Sequence, residues 1–280
     1  MSEPPSAAAR ASDTYEVTAV RYGTRATHKS DVFLHYGIYG EPDEPIEMDY
    51  FFWVARRPGR TVLIDCGFSE RGGARRNRTT LCPPAQALSR LGIDPGSVSK
   101  LIVTHAHYDH IGNLAAFPSV EIVMSRREYD FWTGPLASRP LFATSAEEGE
   151  IAALRQARAE QRIRFAGERG TRQPAVPGID VLEVGGHTPG QLVVLVSAAG
   201  GEVVLASDAL HYYEEMERDR PFAHVADLPE MYAGFETLRQ LAAPGRPVIA
   251  GHDPDVMRRF PALDGDAAGL AVSVGCEVTR

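Results

Sequence analysis

Residues 104–112 read THAHYDHIG and follow directly on the short apolar run Leu101–Val103. On extended backbone, side chains two apart point the same way, so His105 and His107 share a direction. Asp109 and His110 come from the turn that follows and can approach from another side. One metal ion takes three or four protein ligands. Four candidate donors within six residues therefore predict two neighbouring metals. A polar, His-rich loop is the bland alternative. It fits poorly with a chain of nine histidines that places three of them within six residues behind an apolar strand.

Three further stretches repeat the arrangement. GGHTPG (185–190) puts His187 in a Gly/Pro turn after the strand-like VLEV. LASDAL (205–210) puts Asp208 at the end of VVLA, and IAGHDP (249–254) puts His252 just after PVIA. In each case a potential ligand follows an apolar strand, where loops gather side chains at one edge of a sheet.

Strand patterning is expected at Tyr15–Val20, Tyr50–Val54, Thr61–Asp65, Leu101–Val103, Glu121–Met124, Val181–Val184, Leu192–Val196, Val203–Ala206 and Val248–Ala250. Helices are expected at Pro83–Leu91, with Pro near its start and Gly92 after it, and at Leu228–Leu241. From Ser125 to Arg172 the pattern changes to aromatics followed by a charged helical stretch from Ala146 to about Arg164. The expectation is a layered α/β domain over residues 15–280 with an inserted helical segment at about 125–172. Residues 1–14, rich in Pro, Ser and Ala and lacking a secretory pattern, are expected to form a disordered leader.

At 280 residues the chain can bury a sizeable core, and 44% hydrophobic with 24% charged residues is ordinary for a globular protein. A net charge of −8 argues against nucleic acid as the main partner. No run is long and apolar enough to span a bilayer. Cys66, Cys82 and Cys276 form neither a disulfide framework nor a CxxC pair, and are expected as reduced thiols in a cytoplasmic protein.

From VLIDCG (62–67) to GHDP (251–254) the ordered motifs resemble the metallo-β-lactamase superfamily. That resemblance implies an αββα sandwich, two sheets packed face to face between helices, with the site at one edge. It implies that His105, His107 and His187 hold one metal and that Asp109, His110 and His252 hold the other. Asp208 would bridge them, with Asp65 supporting the ligands from behind. Zinc is the first expectation, and iron or manganese would suit the same donors. Two close divalent cations make hydroxide available near neutral pH, so no serine or cysteine nucleophile is needed.

The combination of GGHTPGQ, SDA, AGHDP and the insert is similar to the N-acyl-homoserine lactonase and small-lactone hydrolase branch. The implied reaction opens a lactone ring by attack of a metal-bridging hydroxide that Asp109 and Asp208 position. In that branch a tyrosine three residues after the bridging aspartate assists the carbonyl. Here that position is His211, and Tyr212 follows one later. Either is a candidate acid, and the alternative is that both only cover the pocket. A thioester hydrolase of the glyoxalase II type, or an amide hydrolase, would share the ligand set. A non-catalytic, metal-dependent binding protein is the reading from another class. The implied partner is a small molecule, with a homodimer left open.

Other features have bland expectations. RGGARRNR (71–78) reads as a solvated loop, although it could grip a substrate carboxylate. The aromatics from Tyr129 to Phe142 read as core, dimer contact or acyl pocket. His28, His35 and His224 read as structural, and Glu214, Glu215 and Glu217 as an exposed acidic face.

Overall fold

Alternation along residues 50–55 shows how the layers are organised. Phe51, Trp53 and Ala55 face one buried cluster, and Tyr50, Phe52 and Val54 face another. A strand with apolar residues on both faces must be covered on both sides. The computed structural model, which describes residues 13–244 and 246–275, supplies those covers.

The strands in chain order are β1 (Glu16–His28), β2 (Pro45–Arg57), β3 (Arg60–Ile64), β4 (Thr79–Thr80), β5 (Val98–Ile102), β6 (Glu121–Met124) and β7 (Ile163–Phe165). They continue with β8 (Gln173–Val176), β9 (Ile179–Glu183), β10 (Leu192–Ala198), β11 (Gly201–Ser207), β12 (Val248–Ala250) and β13 (Ala271–Ser273). The first sheet runs β13-β1-β2-β3-β5-β6-β7, with the two residues of β4 also paired to β1. The second runs β12-β11-β10-β9-β8. One buried cluster joins Trp53, Val62 and Ile64 of the first sheet to Val194, Leu195 and Val204 of the second. The helix Leu228–Leu241 covers the second sheet with Met231, Phe235 and Leu238. The helices Pro84–Arg90 and Glu148–Ala159 cover the first with Ala87, Leu88, Ile151 and Leu154. The layering is helix, sheet, sheet, helix.

The parallel pairs β3/β5, β5/β6 and β11/β12 carry their chain ends to a common edge. Asp65, the His105–His110 stretch and Asp208 leave the sheets there, with His252 just beyond β12.

Two sequence expectations need correction. The charged helix ends at Ala159 and not near Arg164, because Ile163–Phe165 turns back as β7 and pairs in parallel with β6. The stretch from Ser125 to Arg172 is therefore tied into the first sheet. Residues 1–12 of the expected leader and Cys276 lie outside the described residues. Asp13 is described and sits 2.8 Å from the Arg57 guanidinium. Cys66 and Cys82 are free and buried. Among the described residues no helix is long and apolar enough to cross a membrane.

Candidate metal centre and its cleft

Several backbone positions are specialised to deliver the ligands. Asp65 and Ser207, at the ends of β3 and β11, adopt positive φ of 61° and 48°, which turns the chain sharply at the sheet edge. Gly186, at φ 89°, passes so close to the helix Leu228–Leu241 that a Cβ would lie 2.6 Å from the Met231 Cα. Only glycine fits there, and that close approach sets His187 at the edge. Gly251 is similarly confined: its Cβ would meet the Ser207 backbone at 2.7 Å.

The ligand atoms fall into two groups within reach of one another, His105, His107, His187 and Asp208 in one and Asp109, His110 and His252 in the other. Asp208 lies between them. Its Oδ2 is 3.6 Å from His105 Nε2 and 3.3 Å from His187 Nε2. Its Oδ1 is 3.2 Å from both His110 Nε2 and His252 Nε2. His252 Nε2 also lies 3.3 Å from Oδ2, so the two groups adjoin closely. His107 Nδ1 faces His187 Nε2 at 2.9 Å. Asp109 Oδ2 is 3.9 Å from His252 Nε2.

The opposite ring nitrogens fix which atom faces the centre. His187 Nδ1 donates to the His224 carbonyl at 2.8 Å, and His252 Nδ1 donates to the Asp49 carbonyl at 2.7 Å. A carbonyl can only accept, so each Nδ1 carries the hydrogen and each Nε2 keeps its lone pair. His110 Nδ1 donates to Asp65 Oδ2 at 2.7 Å; burial would lower this histidine, but Asp208, Asp65 and Asp109 raise it well above its usual range. Asp65 also takes the Thr104 amide at 2.8 Å and the Thr104 hydroxyl at 2.7 Å, which secures the start of the His motif.

A buried carboxylate that the sequence reading missed ties the two halves together. Glu128 accepts from the Ala106 amide at 2.8 Å, Trp132 Nε1 at 2.7 Å and the Gly190 amide at 2.9 Å. It thereby locks the loop of His105 and His107 to the loop of His187. Its only trace in the sequence is Ser125 three residues earlier, a helix-capping spacing that says nothing of the loops it joins.

The donor set suits divalent cations. His105 Nε2, His110 Nε2 and Asp208 Oδ1 are buried without a hydrogen-bond partner among the described residues. Such atoms are costly unless something else coordinates them. Burial pushes His105, His107 and His187 well below the usual histidine range, which keeps their rings in the neutral, ligating form. Burial alone would raise Asp208, but His252 and His110 foremost hold it well below the usual carboxylate range.

The centre opens into a cleft of about 220 Å³ walled by Tyr50, Tyr108, Phe222, His224, Arg25 and Arg78. His211 does not face this space. It stacks on Phe222 with ring centroids 3.6 Å apart, and its Nε2 meets Asp208 Oδ2 at 3.1 Å. Burial would lower it, but Asp208 and Glu215 raise it to about 9. Tyr212 is not brought to the cluster. Its hydroxyl donates to the Glu47 carbonyl at 3.0 Å and its ring packs on Phe33, because the chain at 212 has turned toward the outer core.

Three bland expectations change. Glu215 is fully buried and accepts the amides of His211 and Tyr212 at 3.0 and 2.9 Å, while Glu214 pairs with Arg220; of the three glutamates only Glu217 is exposed. His224 lines the cleft and anchors His187 through its carbonyl. Arg76 and Arg78, from the expected solvated loop, line the cleft as well, because Arg76 stacks over Tyr108 at 4.0 Å and Arg78 Nε donates to the Tyr108 hydroxyl at 2.9 Å. His28 and His35 lie apart from the cleft, on exposed positions.

Comparison with known proteins gives this arrangement a family. The sequence profile of the metallo-beta-lactamase superfamily matches residues 49–257. The chain belongs to that superfamily. Within it, the N-acyl homoserine lactonase AiiA of Bacillus thuringiensis subsp. kurstaki is 28% identical over 169 residues, covering 59% of this chain and 60% of that protein. The N-acyl homoserine lactonase AttM of Azorhizobium caulinodans is 28% identical over 184 residues, covering 62% and 65%. The chain thus spans less than two thirds of the length of these relatives. The crystal structure of a quorum-quenching N-acyl homoserine lactone lactonase superposes with a TM-score of 0.71 at 20% identity, over 86% of this chain and 93% of that one. The dizinc quorum-quenching lactonase AidC superposes with a TM-score of 0.67 at 18% identity, over 86% and 88%. These superpositions show the shared metallo-β-lactamase fold.

Proposed function

We propose that the chain hydrolyses a small lactone, an N-acyl homoserine lactone or a related ring, with two divalent cations held by the seven His and Asp side chains. The observation that carries this reading is Asp208, whose two oxygens reach different ligand groups. Zinc is the favoured metal, on the donor set and on the dizinc site named for AidC. Two such cations, when bound, polarise a carbonyl and make water acidic enough to attack near neutral pH.

The chain's own groups do the rest. Asp109, on the cleft wall, accepts the proton of the attacking water at its carboxylate and returns it to the ring oxygen as the carbonyl C–O bond breaks. The product is the open hydroxy acid. Asp208 sets the spacing of the two ligand groups, and His211 holds Asp208 in place through its 3.1 Å contact. That makes His211 a positioning residue with no direct reach to substrate. Phe222 and Tyr50 present apolar surface and exclude water from the space above the ligands.

The test is a screen of zinc-loaded protein against lactones, thioesters and cyclic amides. Lactones are expected to give the highest kcat/KM. Turnover of thioesters alone would overturn the reading.

A further inference from the structure

Two guanidinium groups in the cleft have no ion-pair contact with a carboxylate among the described residues. The Arg25 side chain forms no hydrogen bond or ion pair among the described residues, and its Nε is buried without a partner. Arg78 makes only neutral hydrogen bonds, to the Tyr108 hydroxyl and the Arg76 carbonyl. Asp109 acts on Arg78 through space without an ion-pair contact, and it belongs to the ligand set. Arg76, by contrast, is paired with Glu147 at 2.7 Å.

Register explains how the two come together. β4 pairs antiparallel with β1 through Gly23↔Thr80 and Thr24↔Thr79. Arg25 lies one residue beyond Thr24 and Arg78 one residue before Thr79, and both line the cleft. Like charges brought to one cleft wall repel. The arrangement is costly in a chain that had acidic residues to spare, with 37 Asp and Glu against 29 Lys and Arg. Guanidinium forks suit carboxylate and phosphoryl oxygens, and a low-dielectric cleft strengthens the attraction.

We propose that Arg25 and Arg78 form an anion clamp that binds a carboxylate or phosphoryl group on the substrate, remote from the carbonyl held at the metal centre. This inference rests on the lactone-hydrolase reading for its reaction. The clamp itself stands on the paired, uncompensated arginines. The substrate class is then an anionic lactone, such as a ring bearing a carboxylate or phosphate substituent, in preference to one with a neutral alkyl tail.

The experiment has two arms, each on the full, zinc-loaded chain and on the Arg25→Gln/Arg78→Gln variant, with Arg25→Lys/Arg78→Lys as the charge-retaining control. In the first arm, kcat/KM is measured for matched lactones carrying a carboxylate, a phosphate or a neutral tail. The wild type is expected to favour one or both anionic forms by about tenfold, expressed in KM, and the Gln variant to lose that ratio. Whichever tail is favoured names the source of the anion. Equal kcat/KM for all three tails in the wild type would overturn the clamp.

The second arm needs no turnover. Succinate and methylphosphonate are titrated while the Tm is followed. In the wild type at least one probe is expected to raise the Tm and in the Gln variant to lose most of that effect, with the Lys control intermediate. Without a probe, Arg25→Gln alone is expected to raise the Tm, since it relieves the repulsion. Equal probe responses in wild type and Gln variant would overturn the clamp. If no lactone is opened while the probe response still depends on the arginines, the reaction assignment fails and the clamp survives.

Discussion

On the floor of the cleft, His110, His187 and His252 each have Nδ1 tied to an acceptor behind them, so their Nε2 atoms converge on Asp208. On its wall, the guanidinium groups of Arg25 and Arg78 form no ion pair with a carboxylate among the described residues. The floor is over-determined by hydrogen bonds from both sheets, and small changes there have nowhere to relax. The wall combines Arg25 and Tyr50 on the paired strands β1 and β2 with Arg76 and Arg78 from the loop before β4, which are held by Glu147 and by Tyr108. On the reading proposed above, the contrast separates chemistry from specificity: one set of atoms would hold the cations and the other would choose what meets them.

The largest effect is expected where the floor has a single shared member. Asp208→Ala removes the carboxylate common to both ligand groups, and kcat/KM should fall by roughly 10³-fold, the scale of deleting a preorganised electrostatic group. A loss of only a few-fold would mean that the two groups work independently. Next comes the layer behind the floor. Asp65→Asn weakens the hold on His110 and Thr104, and metal affinity measured by chelator competition should drop by about 10–100-fold. Unchanged affinity would show that the fold alone orients His110.

Glu150, on the helix that covers the first sheet, gives a pH test outside the ligand set. Burial first, with Glu147 nearby, raises its carboxyl from 4.5 to about 8. Between those values the unfolded chain releases a proton that the folded chain keeps. The folded-state advantage, complete below the unfolded value, is therefore lost as pH rises to about 8. Glu150→Gln should differ little from wild type in Tm at acidic pH and exceed it by roughly a few degrees near pH 8. A gap that is constant with pH would refute the assignment. The smallest effect is expected at Tyr212, whose hydroxyl is already committed to Glu47. Tyr212→Phe should cost about 1 kcal/mol of stability and leave kcat/KM within about threefold. A large kinetic loss would place Tyr212 at the substrate after all.

The same contrast marks what could be read in the sequence. The strands Glu121–Met124 and Val248–Ala250 and the helix Leu228–Leu241 have the expected bounds, because each is a clear apolar pattern with punctuated ends. The floor was legible because ligand types recur after such strands. The strands β4, β7, β8 and β13 were not, being two to four residues long and, in β8, interrupted by Pro174. Arg78 reads as part of a solvated loop, since nothing local says that it will share a cleft with Arg25, 53 positions away. Glu215 reads as part of an exposed acidic face and Glu128 carries no distinguishing signal, because burial is a tertiary property. The register of His211 was legible, but its direction depended on Phe222 closing over it.

Metal stoichiometry tests the central claim most directly. Protein stripped with chelator, reloaded with zinc and freed of excess should hold two ions per chain by elemental analysis, and Asp208→Ala should hold fewer. Loading that stops at one ion in the wild type, or stays at two without Asp208, would contradict a centre built around that shared carboxylate.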